Sequence, residues 1–169
     1  GFFLSIFHFA VWGTIAIALY LLSLYIIESI VFYNFDYKDE ILKKFENNLP
    51  GKNLLEIGSG FGVFTIVGRE KYGINTYGLE PGNEGFGGSF EISQEILTQN
   101  NIAKDVIKKG VGENIPFEDN FFDLVYSTNV LEHVNDPEKV LSEAIRVLAC
   151  GGLAQIVVPN YGSFYDGHY

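Results

Sequence analysis

Glycines stand at positions 58, 60 and 62 in Glu56-Ile57-Gly58-Ser59-Gly60-Phe61-Gly62, between an apolar run and a helical pattern. Glycines so spaced permit a tight turn and let a ligand approach the backbone closely. The helix that follows offers unpaired N–H groups and the positive end of its dipole, which suits a carboxylate or a phosphate. Val63 occupies the place of the third glycine of a dinucleotide fingerprint, and the Gly-Lys-Ser/Thr of a phosphate-binding loop is absent. The loop alone therefore points to a nucleoside-type ligand. Twenty residues after Gly60, Glu80 closes the next apolar run in Leu79-Glu80-Pro81. A carboxylate there can accept both hydroxyls of a ribose; the plainer alternative is a solvated acid at a strand end. His133, in Leu131-Glu132-His133-Val134, follows the apolar run at 122–126. Imidazole exchanges a proton near neutral pH, so it could serve as a general base; the alternative is a local packing role.

These residues need a scaffold, and the hydrophobic pattern supplies one. Short apolar runs at 54–57, 74–79, 105–109, 122–126 and 153–158 read as strands. Between them, 63–72 and 90–100 read as helices, the first with Gly73 at its C-terminal end. Asp136 and Pro137 read as the N-cap and first residue of a further helix, with Val140, Leu141, Ala144, Ile145 and Leu148 as its apolar stripe. Strands alternating with helices imply an α/β fold, a Rossmann-like doubly wound parallel sheet covered on both faces. Ligands of such sheets bind beyond the strand C-termini at the switch point. This core is expected over residues 53–169. A linking amphipathic helix, with Ile41, Leu42 and Phe45 on one side, is expected within 34–52.

The chain has 169 residues and a net charge of −10, which speaks against nucleic acid as a partner. Its single cysteine, Cys150, excludes an internal disulfide framework and a cysteine-rich zinc site. Residues 2–27 contain no Asp, Glu, Lys or Arg. As one helix they would rise about 39 Å, more than the roughly 30 Å of hydrocarbon in a bilayer. This predicts a transmembrane helix within 1–33. Lys38, Lys43, Lys44 and Lys52 follow it and place the rest of the chain on the cytoplasmic side of a membrane. The chain begins at Gly1 and stops soon after its fifth strand, so a fragment lacking the C-terminal strands of the fold is expected.

The segments LLEIGSGFGVFT, YGLEP, GVGENIPFEDNFFDLVYSTNVLEHV and DPEKVLSEAIRVLACGGLAQIVVPN, in that order, resemble the class I S-adenosylmethionine-dependent methyltransferases, in particular their small-molecule and lipid branch. The resemblance covers about 53–160. It implies S-adenosylmethionine as cofactor. Glu56, Gly58, Gly60 and Gly62, with Ser59 and Phe61 between them, would form the loop around its methionine part and adenosine. Glu80, followed by Pro81, would bind the ribose. Gly112, Glu113 and Asn114 would flank the adenine, and Asn129 would face the methionine moiety. Val111 stands where relatives often carry an adenine-binding Asp, and Ala149-Cys150 where Lys-Pro is common. The implied activity is methyl transfer to a small, hydrophobic or membrane-linked acceptor, without metal and with His133 as a candidate base. Two alternatives stay open: an NAD-dependent oxidoreductase, and a non-catalytic scaffold on the same fold.

Overall fold

The computed structural model describes residues 12–26, 39–43, 51–82 and 89–159. The chain divides into two compact units, 1–37 and 38–169. In the first, residues 12–26 are helical and exposed, with Ser23 Oγ donating to Tyr20 O at 2.7 Å. Among the described residues no helix is long and apolar enough to span a membrane. The expected transmembrane helix is thus not found, and the membrane address built on it loses its support. The remainder of that expected span, 1–11 and 27–33, lies outside the described residues.

The second unit is a five-stranded sheet: β1 (Asn53–Ile57), β2 (Asn75–Glu80), β3 (Ile107–Lys109), β4 (Phe122–Thr128) and β5 (Leu148–Val157). Its order is β3-β2-β1-β4-β5 and every pairing is parallel. Among the described residues, the helices between its strands are α1 (Val63–Tyr72), α2 (Ser89–Gln99) and α3 (Pro137–Val147). The chain winds outward from β1 to β3, then returns to β4 on the other side of β1, so the switch point lies between β1 and β4. β1 is buried over Leu54 to Ile57 because helices cover both faces of a parallel sheet, so it reads as a continuous run rather than an alternation.

On one face, Phe64 of α1 stacks on Tyr126 of β4 with ring centroids 5.0 Å apart. Gly68 lets α1 press onto Thr76, whose Oγ1 donates to Thr65 O at 2.6 Å. On the other, Val140, Ala144 and Val147 of α3 join Leu55, Ile57, Leu79 and Val125 in the main core cluster. The expected stripe of α3 is rotated. Leu141 and Ile145 are 40% and 69% exposed, and the buried face is Val140, Glu143, Ala144 and Val147. Asp136 caps α3 as expected, accepting from Lys139 N at 3.0 Å, with Pro137 first in the helix.

Other boundaries shift. Asp105 falls in a 3₁₀ turn before a three-residue β3. β5 starts at Leu148, directly after α3, because Gly151-Gly152 is absorbed in an irregularity of the β4–β5 register instead of turning the chain. Residues 39–43 are helical with Ile41 and Leu42 buried, as expected of the linking segment; Phe45 lies outside the described residues.

Candidate active site

The carboxyl ends of β1, β2 and β4 open onto a cavity of about 760 Å³. The glycine loop forms its floor. Gly58 N and Ser59 N both donate to Leu79 O, at 2.8 and 3.1 Å, and Gly62 N donates to Ser59 O at 3.0 Å. The loop is thereby pinned to the end of β2. Gly58 has φ 75°, and a Cβ there would lie 2.3 Å from Val130 Cγ2, so both its conformation and its space demand glycine. Gly60 has φ 55°, and a Cβ there would meet nothing within 4 Å. Its open side faces the cavity that it lines.

Glu80 is 7% exposed and also lines the cavity. Its Oε2 accepts from Gly60 N at 2.8 Å and its Oε1 from Ser89 Oγ at 2.6 Å. A carboxylate has about four acceptor positions, so two remain for a ligand. The carboxylate is oriented before any ligand arrives, and it ties the loop, β2 and α2 together.

Gly110, Val111, Gly112 and Glu113 make the adjoining wall. Glu113 Oε1 accepts from Asn135 N at 3.0 Å, which joins this wall to the segment before α3. The far side comes from the turn after β4. Asn129 has φ 54° and its N–H donates to Val157 O at 3.0 Å; His133 lies in the 3₁₀ turn Leu131–His133. The His133 imidazole is half exposed, with Nε2 4.0 Å from Glu132 Oε1.

Of the residues singled out from the sequence, Gly58, Gly60, Phe61, Glu80, Pro81, Gly112, Glu113, Asn129 and His133 line this cavity. Glu56, Ser59, Gly62 and Asn114 do not. Glu56 and Ser59 are buried beneath the loop, Ser59 packed on Gly78. Gly62 precedes the first residue of α1, and Asn114 is exposed with its N–H on Val111 O. The sequence reading gave no role to Ser89, Val130 and Asn135, all of which line the cavity, as does Val111, which it noted only as a departure from the relatives' Asp. A hydroxyl residue opening α2 nine positions after Glu80 was the one available signal for Ser89; the others are placed by turns with no motif of their own.

A family model described as a methyltransferase domain matches residues 55–156. The chain belongs to the methyltransferase domain family. Phosphoethanolamine N-methyltransferase 2 of Caenorhabditis elegans is 27% identical over 133 residues, 78% of this chain and 29% of that protein. Norajmaline N-methyltransferase of Rauvolfia serpentina is 36% identical over 110 residues, 65% of this chain and 36% of that protein. The chain thus spans about a third of the length of these curated relatives. The solved structure of Haemonchus contortus phosphoethanolamine N-methyltransferase 2 with S-adenosyl-L-methionine superposes with a TM-score of 0.60 at 25% identity, covering 72% of this chain and 27% of that one. The domain is of the S-adenosylmethionine-dependent methyltransferase kind, and S-adenosylmethionine is its cofactor. The residues present fit that molecule: Glu80 offers free acceptor positions beside an open glycine, in a cavity of the size that holds small ligands.

Proposed function

We propose that the protein carrying this domain transfers a methyl group from S-adenosylmethionine to the nitrogen of a small amine. The observation that carries the cofactor half is the Glu80 carboxylate, fixed by Gly60 N and Ser89 Oγ at the rim of the switch-point cavity. The acceptor half is supported by the names of both relatives described above, which are N-methyltransferases. It is also supported by the lining, whose acids are Glu80 and Glu113 and which holds no Lys or Arg among the described residues.

Bound S-adenosylmethionine supplies a sulfonium-activated methyl group and a neutral thioether as leaving group. The chain's own work is position, alignment and exclusion of water. The loop at 58–62 and the wall at 110–113 would enclose the adenosyl part, and Glu80 would accept from its ribose hydroxyls. Asn129 and the turn after β4 would face the amino-acid part. His133 stands on the rim of the same cavity and would take the proton that the acceptor nitrogen loses.

Calorimetry against S-adenosylhomocysteine and NAD tests the cofactor: the first binds and the second does not, and the reverse result favours an oxidoreductase. Tritiated methyl transfer by the full-length protein to a panel of amines tests the reaction. Cofactor binding without turnover on any amine, alcohol or lipid extract favours the scaffold. His133→Gln lowers turnover by about a hundredfold with cofactor affinity unchanged, at the lower end of general acid–base contributions; normal turnover across the pH range removes the base assignment.

A further inference from the structure

Segment 110–117 lacks helix and strand, yet its first four residues form a cavity wall. What holds it comes from far along the chain. Glu143 Oε2 accepts from Ile115 N at 2.9 Å. Arg146 Nη2 donates to Ile115 O at 2.8 Å and Nη1 to Phe117 O at 3.0 Å. The two side chains also grip each other, Nε to Oε1 at 2.9 Å and Nη2 to Oε2 at 2.8 Å. This is a bidentate pair with one partner well buried, the geometry in which an arginine–carboxylate contact is strongest. Ile115 is 2% exposed, and a Cβ on Gly112 would lie 3.0 Å from Val140, so the wall rests directly on α3.

We infer that Glu143 and Arg146 are positioning residues for the cofactor: they form a brace on α3 that sets the backbone of 110–113 at the distance the adenosyl group needs. The inference rests on the cofactor reading above. The wall adjoins the end of β2 that carries Glu80, since Gly110 N donates to the Glu80 backbone carbonyl at 3.1 Å, and Glu80 and residues 110–113 line the same cavity. Any ligand held by Glu80 therefore meets the backbone that the brace holds. Neither residue lines the cavity, so neither touches the ligand. The arginine fork holds two carbonyls of the segment at once, Ile115 O and Phe117 O, in a planar geometry that a lysine ammonium does not reproduce. The Glu143 carboxyl is held down to about 2, chiefly by the Arg146 side chain and also by Ile115 N, so the brace stays charged at ordinary pH.

The test separates positioning from mere stability. Asp123 is a comparable tie at the opposite end of the sheet, where its carboxylate accepts from Lys52 Nζ and Asn53 N, both at 2.9 Å. Glu143→Gln and Arg146→Lys should each raise the Kd for S-adenosylhomocysteine about fivefold to tenfold. Asp123→Asn should lower the melting temperature comparably and change that Kd less than about twofold. Amide hydrogen exchange over 110–117 should quicken about tenfold in the two brace variants and not in Asp123→Asn. Unchanged affinity and unchanged exchange in Arg146→Lys and Glu143→Gln would overturn the inference, as would equal loss of affinity in Asp123→Asn. Should the native protein fail to bind S-adenosylhomocysteine, the cofactor reading is at fault, and the exchange arm still decides whether the brace sets the wall.

Discussion

Residues 58–62 are fastened by neighbours that the β-α-β unit brings to them: Leu79 O takes two of their N–H groups and Glu80 a third. Residues 110–117, across the same cavity, are fastened by side chains roughly thirty positions later, on a helix that packs the other face of the sheet. The first wall depends on glycine and a local fold. The second depends on a salt bridge and the tertiary packing of α3. Two walls of one cavity thus answer to different perturbations: backbone strain should damage the first, and loss of charge the second.

The largest effect should come from the first wall. Gly60→Val places a β-branched residue at φ 55° with its side chain in the cavity, and should weaken S-adenosylhomocysteine binding by about a hundredfold or more, read by calorimetry. If binding survives, the open side of Gly60 does not face the ligand. Glu80→Ala removes the proposed ribose acceptor and leaves Gly60 N and Ser89 Oγ without this partner. About tenfold to thirtyfold is expected, with a smaller loss in Glu80→Gln, which keeps one acceptor.

The second wall should show itself in acid. The carboxyl of Glu143 lies at about 2 when folded against an ordinary 4.5. A carboxyl depressed by folding adds stability that is complete above its unfolded value and is lost as pH falls through the folded one. The brace therefore contributes fully above about pH 4.5 and fades from there toward about 2. Urea unfolding at stepped pH should show Glu143→Gln less stable than the native chain at pH 6, with the gap narrowing below 4.5. A gap independent of pH would mean that the carboxylate charge plays no part. The smallest effect belongs to Val111, whose half-exposed side chain lines the same wall. Val111→Ser should cost about twofold to threefold in affinity, the worth of a small apolar contact.

The glycine wall was readable along the chain because all its parts are local. A strand, three glycines, a helix and an acid twenty residues on define its topology without further packing. The brace was hidden by its own surroundings. Glu143 sits among Val140, Ala144 and Val147, and an apolar-stripe count skips a carboxylate, so the stripe was drawn through Leu141 and Ile145, which face outward. The N-terminal run is a different case. Lack of charge in residues 2–27 argues for a span, and among the described residues, which include 12–26 of that run, no helix is long and apolar enough to cross a membrane. Asn114 shows the limit of carrying a motif over residue by residue: its neighbours 112 and 113 line the cavity, and a turn sends its own side chain outward.

Periodicity and glycine spacing determined that the core is a parallel α/β sheet, and pointed to a nucleoside-type ligand at its first turn. Those signals are short-range consequences of backbone geometry, and a linear text carries them. Tertiary structure alone decided which acids line the cavity and which hold up a wall. Glu80 and Glu143 are both buried carboxylates with two bonded oxygens. One lies at the end of a strand beside an open glycine, and the other lies behind the segment it supports. That distinction is a matter of direction in space, set by how α3 packs on the sheet.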